Sequence, residues 1–156
     1  MSEVQPAQQS PEEVQELFIF TPCEGDSWGV TFEKFTRALE HRTPGEFSLA
    51  VDEPEGVLPA SRRLRFGFTL DDAGIEGFFK EEPEGAALRA VTCHEAARFA
   101  EWLAEKIIPP GGSLAFTTRV NEEYGLGEEE ILHRAAPEIE SQLLEHVERL
   151  LSLEES

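Results

Sequence analysis

The chain has 156 residues, with 13 Lys+Arg against 32 Asp+Glu and a formal net charge of −19. That length fits one compact domain able to bury a core without disulfides or metal. Hydrophobic residues at 40% and eleven Phe exclude a wholly disordered acidic chain. A pI near 4.5 argues against a binder of the phosphate backbone, and no apolar run approaches the ~20 residues of a membrane-spanning helix.

Residues 1–13 are polar, contain no Lys or Arg, and read as a disordered tail ahead of a single α+β domain at 14–156. A secretory signal needs a basic start and an apolar stretch, and a transit peptide needs Arg. Cys23 and Cys93 lie far apart and suggest no disulfide framework, so a cytoplasmic location is the expectation. No repeat of about 20–50 residues is visible. Residues 1–60 carry a net charge of −9, 61–120 only −1, and 121–156 again −9. If the outer thirds meet in space, they form one negative surface, which speeds the encounter with cationic partners more than it stabilises a fold.

Taken in chain order, Glu16–Thr21 (ELFIFT) is a short apolar run closed by Pro22 and predicts a buried strand. Cys23–Gly29 reads as a loop. Thr31 can cap a helix through Arg42 whose apolar stripe is Phe32, Phe35, Ala38 and Leu39. Phe47, Leu49 and Val51 alternate with smaller or polar residues, as in a half-buried strand, and Glu53–Ser61 reads as a surface loop. Leu64, Phe66, Phe68 and Leu70 share one face of a strand, Asp71–Gly74 supplies turn chemistry, and Ile75–Lys80 returns as its hairpin partner. Glu81–Gly85 predicts a second turn and Ala86–Thr92 a further strand.

Thr92-Cys93-His94-Glu95 has the form of a capping box opening a helix with Ala96, Phe99, Leu103 and Ile107 on one face. Pro109-Pro110-Gly111-Gly112 stops it. Ser113–Val120 predicts a strand. From Gly127 the chain is expected to turn helical, with a short helix before Pro137 and a long one after it, on a stripe of Ile139, Leu143, Val147, Leu150 and Leu151. The order β-α-β-β-β-β-α-β-α predicts an α+β domain: a largely antiparallel sheet of about five or six strands packed against two or three helices.

Motifs that carry chemistry are scarce. Gly111-Gly112 lacks the frame of a phosphate cradle and leads into a strand. His41, His94, His133 and His146 show no metal-ligand spacing, and no C-x-x-C is present, so neither metal nor cofactor is expected. Cys93 sits where a helix N-terminus would favour thiolate, but a small buried residue there is the commoner outcome. The acidic clusters Glu81/Glu82/Glu84, Glu122/Glu123 and Glu128/Glu129/Glu130 are expected to be solvated, the last beside a helix N-terminus.

Two aromatic residues lie in acidic loops: Trp28 beside Glu24 and Asp26, and Tyr124 beside Glu122 and Glu123. Aromatic anchors ringed by charge are common at protein interfaces. Glu24, Asp26, Trp28, Glu122, Glu123, Tyr124, Glu128, Glu129 and Glu130 are therefore the candidate partner-binding residues. The corresponding function is a non-catalytic module that engages and neutralises a basic protein, most sharply an immunity-type inhibitor of a cationic toxin domain. Direct nucleic-acid or membrane binding is not expected. The alternatives are an enzyme or small-ligand binder with an apolar pocket between sheet and helices, an acidic secretion chaperone, and a nucleic-acid mimic. The nearly neutral middle third counts against the mimic.

Overall fold

The computed structural model describes residues 10–42, 47–52, 63–70, 73–81 and 84–155. The tail expected at 1–13 lies outside the described residues up to residue 9, but Pro11–Glu13 form a 3-10 turn followed by buried Val14. The loop expected at 53–61 and the Asp71-Asp72 turn residues also lie outside them.

The architecture is α+β. Strands β1 (Glu16–Thr21), β2 (Phe47–Asp52), β3 (Arg63–Leu70), β4 (Ala73–Glu81), β5 (Glu84–Val91), β6 (Ala115–Thr118) and the two-residue β7 (Glu129–Glu130) form one sheet in the order β2-β3-β4-β5-β1-β6-β7. Every neighbouring pair is antiparallel. The first strand thus closes onto the end of the β2–β5 meander. Helices α1 (Phe32–Arg42), α2 (Cys93–Trp102, continued by a π-helical turn at Leu103–Ile107), the short α3 (Arg119–Glu123) and α4 (Ala136–Glu155) occupy the connections and the C-terminal end.

The strand register explains the core. Leu64, Phe79, Ala86, Phe20 and Phe116 fall in one row across the sheet, and Phe66, Gly77, Leu88, Phe18 and Thr118 in the next. Since side chains alternate between faces, both rows point to the same side, where the helices pack. Phe35 of α1 stacks on Phe79 at 4.7 Å and touches Phe66 at 5.0 Å, while Phe99 of α2 lies 5.8 Å from Phe66. From α4, Ile139, Leu143 and Val147 join the same buried cluster. Gly77 needs its missing side chain, because a Cβ there would lie 2.1 Å from the Ala87 carbonyl oxygen.

On the other face the row reads Arg65, Phe78, Ala87, Ile19, Thr117. Arg63 stacks over the Phe78 ring at 4.1 Å, and Arg89 pairs with Glu76 at 3.6 Å. The nearly neutral middle third therefore supplies much of this basic and aromatic surface.

Local signals start and stop the helices. In α2, the Glu95 N–H donates to the Thr92 hydroxyl and the Thr92 N–H donates to the Glu95 carboxylate, completing the capping box. For α1, the Lys34 N–H donates to Thr31, as expected.

Two expectations require correction. The cluster at Glu81 and Glu84 is not simply solvated. Glu84 accepts from the Ser27 hydroxyl (2.9 Å) and the Trp28 and Val30 N–H groups (2.6 and 2.8 Å), and Glu81 accepts from the Phe32 N–H (2.7 Å). These carboxylates satisfy the unpaired donors of the loop entering α1, a negative charge at a helix start.

The helix expected from Gly127 is also absent: β6 ends at Thr118, α3 follows at once, and Glu129–Glu130 pair with Phe116 and Ala115 as β7. The cause is long-range, since α4 draws Glu129 against the sheet edge.

Replacing Glu84 by Ala strands three donors of the 27–30 loop. We expect a loss of about 2–3 kcal/mol in unfolding free energy, against about 1 kcal/mol for Glu81→Ala, measured by urea denaturation.

Candidate functional site: the α3–β7 segment and the cleft against α4

Thr118 begins the site. Its hydroxyl accepts the Asn121 N–H at 3.1 Å and so caps α3. At the other end of α3 the Gly125 N–H donates to the Glu122 carbonyl and the Leu126 N–H to the Asn121 carbonyl. This is the bond pattern of a Schellman motif, with Gly125 in the left-handed region at φ +73°. Asn121, itself buried, closes the loop from inside: its side-chain NH2 shares its two hydrogens among the Thr117 hydroxyl (2.9 Å) and the Leu126 and Gly127 carbonyls (3.2 and 2.9 Å).

The following strand is clamped by α4. Glu129 accepts from His146 Nδ1 at 2.5 Å and from the Arg149 guanidinium. The Glu130 carbonyl accepts from the Gln142 amide at 2.9 Å. His146 is only 2% exposed, lies edge-on to Phe116 at 4.8 Å, and places Nε2 3.2 Å from the Thr118 hydroxyl. An ionised carboxylate only accepts, so Nδ1 carries a proton toward Glu129, and in the neutral ring Nε2 takes the Thr118 proton.

Burial alone would raise the Glu129 carboxyl. The His146 hydrogen bond, the His146 charge and the Arg149 charge and bond outweigh it, so its pKa is lowered.

A Glu–His–hydroxyl order is also that of an acyl-transfer triad. Here Thr118 has 0% exposure and its oxygen is already committed to capping α3. No substrate carbonyl can reach it, and the chain of bonds joins β6, β7 and α4 instead.

Beside this chain lies an open cleft of about 610 Å³ lined by Asn121, Leu126, Gly127, Glu129, His146, Arg149, Leu150, Ser152 and Leu153. Leu126 and Leu153 are 47% and 44% exposed, and Tyr124, two residues from Leu126, is 48% exposed.

The nine candidate residues divide in this frame. Glu122, Tyr124 and Glu128 are exposed around the loop, and Glu123 is exposed with Arg119 3.7 Å away. Glu130 is exposed but contributes its backbone to the clamp. Glu129 is a structural ligand of α4 rather than one of a solvated trio.

The 23–28 loop is elsewhere, fastened to Ser113 ahead of β6, whereas α3 follows the far end of that strand. Glu24 is exposed there. Asp26 accepts from the Ser113 hydroxyl at 2.6 Å, and this bond first, then the Ser27 and Ser113 N–H groups, lowers its pKa. Trp28 is not the surface anchor expected: it is 3% exposed, and its indole N–H donates to the Ser113 carbonyl at 2.7 Å. A side chain that can both fill the core edge and satisfy its one donor does so.

Cys93 is buried, and its thiol is pushed up to about 12 by burial and then by the charges of Glu140, Glu12 and Glu16. Desolvation outweighs the helix terminus there. The Pro11–Glu13 turn packs against both α2 and α4, so residues of the first and last acidic thirds meet around the start of α2. Among the described residues, no three His, Cys, Asp or Glu side chains converge as a metal site.

Sequence reasoning missed His146, Asn121, Thr118 and Arg149. His146 had a visible signal, because with Ile139, Leu143, Val147 and Leu150 it falls on the apolar stripe of α4. No protein-family model, curated protein or solved structure matches this chain.

Because the Glu129 pKa is below its ordinary 4.5, the unfolded chain takes up that proton first as pH falls. The stabilisation is complete above pH 4.5 and disappears as pH drops through the lowered value. The stability difference between wild type and Glu129→Gln should therefore shrink as denaturation is repeated toward about pH 3, and a pH-independent difference contradicts the clamp. Thiol titration supplies a second check. Iodoacetamide should label Cys23 and spare Cys93 in the native protein, and label both after unfolding.

Proposed function

We propose that this chain is a non-catalytic, acidic protein-binding module that engages and neutralises a basic partner protein through the α3–β7 segment. The observation that carries the reading is the preorganised surface at Glu122–Glu128. Glu122, Glu123 and Glu128 surround Tyr124 and Leu126, all exposed, on a loop whose backbone is held by Asn121 and a glycine cap. A surface fixed in advance loses little conformational freedom on binding. Exposed aromatic and leucine groups give it apolar contact, and the charge of −19 draws a cationic protein toward it.

Within this class the sharpest form is an immunity-type inhibitor of a cationic toxin domain, acting in the cytoplasm where two unpaired thiols persist. A toxin domain that works on nucleic acid needs a basic path, and an acidic rigid loop is suited to occupy it. This assignment rests on analogy of type, with no family motif behind it.

Affinity capture from nuclease-treated extract of the cells that make the protein tests the proposal. The wild-type chain should retain one basic protein in stoichiometric amount and shed it in high salt, while a Glu122→Lys/Glu123→Lys/Glu128→Lys variant with an unchanged circular dichroism spectrum should not retain it. Equal retention by both chains, or retention indifferent to salt, contradicts the proposal.

A further inference from the structure

The cleft between the 124–127 loop and the last turns of α4 has a division of labour that identifies its occupant. Its most buried donors are spent on neighbouring groups of the fold. His146 uses both ring nitrogens, on Glu129 and Thr118. Glu129 is held by His146 and Arg149, and the Asn121 amide by Thr117 and two loop carbonyls. A site for a small polar ligand presents a few convergent polar groups that fix orientation, and here the His146 ring nitrogens and the Asn121 amide nitrogen are already committed to the fold.

The cleft presents apolar groups to solvent: Leu126 and Leu153 stand nearly half exposed, and buried Leu150 lines it with them. Its volume of about 610 Å³ exceeds what a single side chain fills, and it opens to solvent along one side. Exposed glutamates flank the lining residues in sequence, Glu122 next to Asn121 and Glu128 next to Gly127. Arg149, 60% exposed, stands on the α4 side.

We infer that this cleft seats an amphipathic segment of the basic partner, a helix-like stretch with leucine-type side chains on one face and Lys or Arg beside them. The apolar face enters between Leu126 and Leu153. Its cations lie toward Glu122 and Glu128 and away from Arg149, since like charges repel on that side. Recognition of an amphipathic helix by an apolar groove is a general mode of peptide binding, and the rim charges select a basic one. The inference rests on the protein-binding reading and adds to it the chemistry of the contacting segment.

The probe is a pair of synthetic helical peptides of equal charge, one of Leu and Lys in amphipathic register and one with every Leu replaced by Ser, titrated calorimetrically into the full chain at physiological salt. The Leu/Lys peptide should bind about tenfold to a hundredfold more tightly than the Ser/Lys peptide, the gain expected for burying one leucine-sized group. A charge-neutral Leu126→Ser/Leu153→Ser variant should lose that gain, and Glu122→Lys/Glu128→Lys should weaken both peptides.

Equal binding of the two peptides to the wild type overturns the inference. So does a Leu/Lys preference that survives the Leu126→Ser/Leu153→Ser change. If the charge reversals still weaken binding in those cases, the acidic-module reading stands without the cleft; if they do not, both fall. Leu126 and Leu153 are surface residues, and the peptide comparison on wild type needs no variant to fold.

Discussion

The carboxylate of Glu129 is the fixed point of the surface to which we attach the proposed function. Between Tyr124 and Ala135 the chain contributes only two residues of strand, too little pairing to hold a segment of that length. Asn121 and the glycine cap hold its first residues, the Ile131 N–H donates to the Leu114 carbonyl at 2.7 Å, and α4 clamps the stretch between them through His146 and Arg149 on Glu129 and Gln142 on the next carbonyl. Helix α4 is in turn seated by Ile139, Leu143 and Val147, and its first turn is fastened to α2 where the Ala136 N–H donates to Glu101 at 2.9 Å. Removing one member of such a partly buried charged network leaves the others desolvated and unpaired, which costs more than the bond itself contributes. The acidic loop therefore inherits its rigidity from the core.

This dependence separates the acidic residues into two groups that composition treats alike. Glu81, Glu84, Glu95, Glu101 and Glu129 each accept from a helix start, an adjoining loop or α4, so their charge serves the fold. Glu122, Glu123 and Glu128 are exposed; the charge of Glu122 and Glu128 acts outward on whatever approaches, while Glu123 shares its charge with Arg119. The proposed binding role uses the second group and is protected by the first. The sheet carries the opposite bias on the face away from the helices, where Arg63 and Arg89 stack on Phe78. Charge is thus sorted by surface, and this sorting gives a docking partner a preferred side.

The parts of the fold legible in the sequence are those whose cause is local. The run at Glu16–Thr21, the alternation from Leu64 to Leu70 and the Thr92–Glu95 capping box each specify their element within a few residues, and each stands where it was expected. The region after Thr118 was misread because its cause is remote. Three adjacent glutamates ahead of Pro137 suit a helix start, and His146 and Arg149, 17 and 20 residues further on, hold the middle one in a strand instead. Trp28 was misjudged for a similar reason. Its acidic neighbours suggested a surface loop, whereas the Ser113 carbonyl and the Glu84 carboxylate, both distant in sequence, draw the ring inside. Tyr124 stays half exposed. In the candidate site, the exposed acids could be read from the sequence and the buried scaffold beneath them could not.

The central claim is that a preorganised acidic surface governs association with a basic protein. Its most direct test is the association rate constant with that protein, measured by stopped flow across a range of ionic strength. Electrostatic steering toward a fixed surface predicts an association rate that falls steeply as salt rises while the dissociation rate changes little. An association rate indifferent to salt, with affinity set wholly by dissociation, would contradict the account.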